Sequence, residues 1–317
     1  MKHNIAYNNS KVNSNLVIVL PALNESKGME RVLDEIFRVF EGRNYNVVVV
    51  DGLSTDNTRE IAENKGAIVI DQYGRGYGDA LISGFQYAKE ILNADLIAMM
   101  DADLSYDPID IISCVELIQN GKAELVVGNR FSGMQKGAMP FTNKFGNKVI
   151  SWFAQRFLRI KIKDTQCGLR VFKAALVDRL YMNETGMPFA IEMLSEAKFA
   201  GVNMLDIPVN YRPRIGTPKL SPLKDGLLIL GTIIRLMRDT QPLLFFSSIS
   251  FLIGLVGVYL GLDVTLEWLR TGSVGRVPTV VLSVLLIIGS IQFLTLGLIA
   301  DMIKGLRKQL YRTRESK

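Results

Sequence analysis

Two stretches near the C-terminal end leave this chain few ways to fold. From Thr240 to Leu262, and again from Val277 to Ala300, no residue is charged. Each exceeds the roughly 20 apolar residues that cross a hydrocarbon core, and a helix over either would be about 30 to 36 Å long. Within a bilayer no water satisfies backbone N–H and C=O groups, so such a stretch must be helical. Buried core helices are the alternative, but they seldom run so far without a charge on some face. The sequence predicts a transmembrane hairpin over 242–300, with spans at about 242–262 and 277–300 and a short loop, 263–276, between them.

Charge follows this division. The chain has 37 Lys+Arg against 31 Asp+Glu, a net charge of +6, yet residues 1–211 carry 23 against 25. The excess sits in 212–241 (6 against 2) and 301–317 (6 against 2), on either side of the hairpin. Arg235 and Arg238 precede the first span; Lys304, Arg307, Lys308, Arg312 and Arg314 follow the second. Basic flanks stay on the cytoplasmic side, which predicts a two-span membrane protein with catalytic domain and both termini cytoplasmic and a basic tail over 301–317. Residues 221–241, with G-L-L-I-L-G-T-I-I-R-L-M-R-D, read as a juxtamembrane helix lying in the headgroup layer against membrane lipid. A slightly acidic folded part is a poor nucleic-acid binder.

Composition removes further chemistries. The only histidine is His3, in an Asn-rich leader (1–15) expected to be disordered, which excludes Ser-His-Asp catalysis and His-ligated zinc. Cys114 and Cys167 form no C-x-x-C and suit a reducing compartment. There is no P-loop string, and the first residues lack the apolar core of a secretory signal.

Residues 16–220 alternate short apolar runs with helical patterns. The runs are L-V-I-V-L (16–20), V-V-V-V (47–50), A-I-V-I (67–70), D-L-I-A-M-M (95–100) and E-L-V-V (124–127). Between the first two, Met29, Val32, Leu33, Ile36, Phe37 and Phe40 recur at helical spacing. Repeated β-α-β implies an α/β fold with a Rossmann-like, mainly parallel sheet, whose ligands bind beyond the carboxyl ends of the strands. Three such ends are acidic or amide-bearing: P-A-L-N-E (21–25), D-G-L-S-T-D-N-T (51–58) and D-A-D-L-S (101–105). Asp51 can accept hydrogen bonds from a base or ribose, whereas Asp56 suits a local turn. Asp101 and Asp103, two apart where a strand breaks, can share one hard cation, Mg²⁺ or Mn²⁺, that completes its shell with substrate phosphate. G-R-G-Y-G (74–78) lacks the order of a dinucleotide fingerprint; either the loop needs positive φ, or Gly78 lets the backbone approach a sugar diphosphate beside Arg75.

In order and spacing these segments resemble family 2 glycosyltransferases of the dolichyl-phosphate mannosyltransferase type, the polyprenyl-phosphate hexosyltransferases. G-N-R-F (128–131), M-P-F-T-N-K-F-G-N (139–147), D-T-Q-C-G-L-R (164–170), F-A-I-E-M (189–193) and Y-R-P-R-I-G-T-P-K-L (211–220) extend the likeness over about the first 240 residues. The resemblance implies a GT-A fold, an inverting mechanism and a divalent cation. By position it implies that Pro21, Ala22, Asn24, Glu25 and Asp51 hold the nucleotide-sugar, with Arg75, Gly78 and Asp101, and that Asp101 and Asp103 hold the metal. It puts Arg130 and Lys144 at the lipid phosphate, with Asp103 in the reaction, and Arg214 and Lys219 as further phosphate clamps. Relatives often carry Gln where this chain has Ser105.

A polyprenyl (dolichyl) phosphate arrives ionised, so it can attack sugar C1 without a strong base; the site supplies position and charge. Glu192 reads as a capping carboxylate or a weak base. The expected donors are GDP-mannose, UDP-glucose or a UDP-N-acetylhexosamine. Alternatives are the same fold acting on another lipid or a polysaccharide, and an inert membrane-tethered nucleotide-binding subunit. The sequence is compatible with a homo-oligomer.

Overall fold

The computed structural model describes residues 14–215 and 222–315. Most of the leader, and Lys219, lie outside the described residues. The chain divides into two compact units, one up to Thr232 and one from Ile233.

The first unit runs β1 (Leu16–Ala22), α1 (Ser26–Phe40), β2 (Tyr45–Asp51), α2 (Thr58–Asn64), β3 (Ile68–Asp71), α3 (Tyr77–Glu90), β4 (Leu96–Met99), α4 (Ile109–Gln119), β5 (Leu125–Asn129) and α5 (Arg130–Gly133). It continues through α6 (Phe141–Phe153), a π-turn (Ala154–Leu158), β6 (Arg170–Lys173), α7 (Leu176–Arg179), α8 (Phe189–Phe199) and β7 (Met204–Pro208). α9 (Pro222–Thr240) follows.

The seven strands form one sheet in the order β3-β2-β1-β4-β6-β5-β7. Only β6 is antiparallel to its neighbours, β4 and β5. Helices cover both faces, which is why β1, β2 and β4 are continuous apolar runs buried along most of their length. α1 buries Met29, Val32, Leu33, Ile36 and Phe40, the face its spacing predicts, while Phe37 is half-buried against Tyr45. α3 meets the sheet so closely that a Cβ on Gly84 would lie 2.4 Å from Val19 Cγ1.

Register places the acidic segments together. Ala22 pairs with Asp51, and Val19 with Met99, so β1, β2 and β4 all release their following loops at one edge. The antiparallel β6 begins there too, since Arg170 pairs with Met99, and this brings D-T-Q-C-G-L-R to the same edge.

The second unit comprises the end of α9 and a helical hairpin, α10 (Pro242–Thr271) and α11 (Val277–Glu315). Both helices are long and apolar enough to cross a membrane, and only 11% of each apolar window is buried, unlike the core helix of a water-soluble protein. The expected loop 263–276 is mostly helix: α10 continues to Thr271 and ends where Gly272, at φ 71°, donates to Trp268 O at 2.8 Å. The loop's charges pair instead, Arg276 reaching Asp263 at 2.9 Å and Glu267 at 2.6 Å. Small residues bring the helices close: a Cβ on Gly257 would meet Leu286 and Ile287, and Ser250 Oγ and Ser283 Oγ donate to Ser290 O (2.7 Å) and Gly257 O (2.8 Å).

Candidate active site

The loops after β1 and β2 are joined by side chains. Asn24, at φ 52°, accepts from Thr55 N (2.7 Å), and its own N–H donates to Ser54 Oγ (2.9 Å). Glu25 N donates to Thr58 Oγ1 (2.8 Å). Asp56 accepts from the Thr58 hydroxyl, Thr58 N and Ser26 N; burial pushes its carboxyl up, but the hydrogen bonds, the Thr58 hydroxyl first, outweigh burial and hold it down at about 2. Asp56 thus has the local role its position suggests. Asn24, expected to hold the nucleotide-sugar, uses its side-chain carbonyl to join the two loops. Asp51 is buried at the strand end, accepts from Ser54 N at 3.3 Å and has Arg59 Nη1 at 3.9 Å. Pro21, near the end of β1, and Glu25, in the loop that follows it, are half-buried.

After β4 the chain turns sharply, with Leu104 at φ 64° between the acidic pair and Ser105. Asp103 is buried; its Oδ1 accepts from Ser105 N (3.0 Å), and its Oδ2 lies 3.5 Å from Arg214 Nη2. Asp101 accepts from the Tyr77 hydroxyl at 3.0 Å. On its other side is Gly168, where a Cβ would lie 2.5 Å from Asp101 Oδ2. Burial, then the charge of Asp103, raise the Asp101 carboxyl to about 6, against the Tyr77 hydrogen bond and the charges of Arg130 and Arg214. Burial and the Asp101 charge push the Tyr77 phenol well above its usual range, so it stays a donor.

This donor set fits a hard divalent cation. Two carboxylates that repel each other are relieved by one, and the buried Ser105 hydroxyl has no hydrogen-bond partner among the described residues. Among the described residues no third acidic, His or Cys group joins the pair, which leaves the rest of a shell to substrate oxygens.

Arg130, expected at the lipid phosphate, is buried at the end of β5. Its Nε and Nη2 bind Asp164 Oδ2 (2.7 Å) and Oδ1 (2.8 Å), and its N–H reaches the same carboxylate at 3.1 Å. Its guanidinium lies 5.4 Å over the Tyr211 ring. Burial lowers its pKa, but the Asp164 charge raises it further, so it is a fixed cation whose field reaches Asp101. Arg214 is likewise a partner of Asp103 rather than a solvated charge. Lys144 is half-buried on α6, and Arg75 is exposed.

Gly78 needs a correction. Its N–H donates to Thr185 O (2.8 Å), and a Cβ there would lie 2.0 Å from Glu184 O. The room that glycine provides is filled by the chain itself, not kept for a diphosphate. Glu192 holds that segment by accepting from Asn183 N (2.9 Å) and Glu184 N (2.8 Å), the capping role foreseen for it. Sequence reasoning assigned no role to Tyr77, Asp164 or Gly168. All three stand inside quoted motifs, G-R-G-Y-G and D-T-Q-C-G-L-R, and that was the available signal.

Residues 17–184 match the model of the glycosyl transferase family 2, slightly more than half of the chain. The chain belongs to that family. A dolichyl-phosphate hexose transferase of Haloferax volcanii is 32% identical over 229 residues, covering 71% of this chain and 95% of that protein. The low-salt glycan biosynthesis hexosyltransferase Agl6 of the same organism is 33% identical over 262 residues, and this chain spans 61% of its length. Among solved structures, glucosyl-3-phosphoglycerate synthase of Mycobacterium tuberculosis, in complex with Mn²⁺, UDP and glucosyl-3-phosphoglycerate, superposes with a TM-score of 0.57 at 20% identity, covering 71% of this chain and 80% of that one. The fold of the first unit is GT-A, and the protein is a glycosyltransferase.

Proposed function

We propose that this family 2 glycosyltransferase moves a hexose from a nucleotide-sugar to a membrane polyprenyl phosphate with inversion at C1. The observation that carries this reading is the juxtaposition at one sheet edge of Asp101 and Asp103 with two guanidiniums, Arg130 acting on Asp101 and Arg214 3.5 Å from Asp103. Cations beside a diphosphate edge suit an acceptor that is itself an anion. The relative named for dolichyl phosphate, and two helices of membrane length, support the same acceptor.

An ionised phosphate oxygen forms the new bond to C1 as the bond from C1 to the donor diphosphate breaks; the nucleoside diphosphate leaves, and no proton has to move. Asp51 accepts from the ribose or base, with Pro21, Ala22 and Glu25 lining the nucleotide and Arg75 at its phosphates. Arg130, fixed by Asp164, and Lys144 receive the acceptor phosphate. Arg214 and Lys219 add positive charge. Asp101 and Asp103 would hold a Mg²⁺ or Mn²⁺, which would supply positive charge for the departing diphosphate when bound. Arg235 and Arg238 on one side of the hairpin, and Lys304 and Arg307 on the other, argue for a cytoplasmic catalytic unit and termini.

The donor is GDP-mannose, UDP-glucose or a UDP-N-acetylhexosamine. Membranes carrying the protein, incubated with each labelled donor and a polyprenyl phosphate, are expected to form a labelled lipid with one of them and none after EDTA. No lipid product with any donor would overturn the reading. Gly168→Ala, which forces a methyl against Asp101, is expected to slow transfer about 10- to 100-fold, measured as rate against added Mn²⁺.

A further inference from the structure

We infer that Tyr77 is a positioning residue for the cation, acting through Asp101; this rests on the reading of Asp101 and Asp103 as the metal carboxylates. A carboxylate at a strand end can rotate about χ2, and a cation held by only two such groups depends on how well each is aimed. Asp101 is restrained on two sides. The Tyr77 hydroxyl donates to Oδ1 at 3.0 Å, and Gly168 stands against the carboxylate where even one methyl would not fit.

Tyr77 is itself fixed by contacts made elsewhere. It is the first residue of α3, and the next two amides, Gly78 N and Asp79 N, donate to Thr185 O at 2.8 and 3.3 Å. Asp79 turns back to accept from Arg75 N (2.7 Å), closing the glycine loop. Glu192 fastens the 183–184 backbone from α8. A run of hydrogen bonds therefore leads from Glu192 through the 183–185 segment to the start of α3, and from the phenol to Asp101. The positive-φ glycines 74 and 76 and the close approach at Gly78 serve this arrangement. The G-R-G-Y-G motif acts on the diphosphate edge at one remove, through its tyrosine.

The test is Mn²⁺ binding to the full-length protein, followed by loss of the free-ion electron paramagnetic resonance signal, with Mn²⁺ alone as the probe. Tyr77→Phe is expected to weaken binding about 10- to 100-fold while the thermal midpoint of the metal-free protein stays at the wild-type value. Tyr77→Leu should weaken it equally, since both lack the donor; transfer by Tyr77→Phe should recover its kcat at saturating Mn²⁺ with a raised requirement for the ion. Wild-type affinity in Tyr77→Phe, or a loss in Tyr77→Leu alone, overturns this role and leaves the metal site standing. Undiminished Mn²⁺ binding in Asp101→Ala would instead overturn the metal reading itself.

Discussion

Asp101→Asn is expected to lower sugar transfer on the order of a thousandfold without unfolding the protein. Removing the charge takes away one of two carboxylates that hold the cation, and a metal's stabilisation of a leaving oxyanion is several kcal/mol, where about 4 kcal/mol corresponds to that factor. The fold does not need the charge. Asp101 is pushed up to about 6 chiefly by burial and by Asp103, so in the metal-free protein its ionisation is less favourable than in the unfolded chain and costs stability at neutral pH. Asparagine keeps an acceptor for the Tyr77 hydroxyl and removes the repulsion. The metal-free variant should therefore melt at or above the wild-type temperature, a loss of function with no loss of stability.

Asp164→Ala should behave in the opposite way, losing both. Asp164 is fully buried and takes three hydrogen bonds from Arg130, one from the backbone and two from the guanidinium. Breaking a buried pair leaves an uncompensated charge and costs about 3–5 kcal/mol, which in a domain of this size lowers the thermal midpoint by roughly 10 °C. The pairs of Lys65 with Glu30 and Asp34, at the surface and screened by solvent, supply the contrast: Lys65→Ala should leave the thermal midpoint close to the wild-type value. Transfer by Asp164→Ala should fall even at temperatures where the variant is folded, because Arg130 is no longer aimed. Differential scanning calorimetry alongside a transfer assay separates the two effects.

The parts of this molecule that were legible in the sequence are those governed by local periodicity. β1, β2 and β4 are unbroken apolar runs because both faces of the sheet are covered, and α1 buries the stripe that its 3.6-residue spacing marks. The two uncharged stretches are helices for the reason the bilayer imposes. β6 was not legible: R-V-F-K is four residues long, and its antiparallel insertion between β4 and β5 is a tertiary choice. The Arg130–Asp164 pair was hidden for a similar reason, since 34 residues separate the partners and nothing local marks them. The glycines of 74–78 announced a close approach without saying to what. Gly78 packs against the backbone of Glu184, and only the folded chain reveals that.

The claim that the acceptor is an anion, received by Arg130 and needing no base, is tested most directly by offering the purified protein two lipids that differ in one group. With the nucleotide-sugar that supports transfer and Mn²⁺ present, polyprenyl phosphate should yield a glycosylated lipid, and the corresponding neutral polyprenol should yield none. Transfer to the alcohol at a comparable rate would contradict the account, because a hydroxyl nucleophile must lose its proton to a base and the proposed reaction moves no proton.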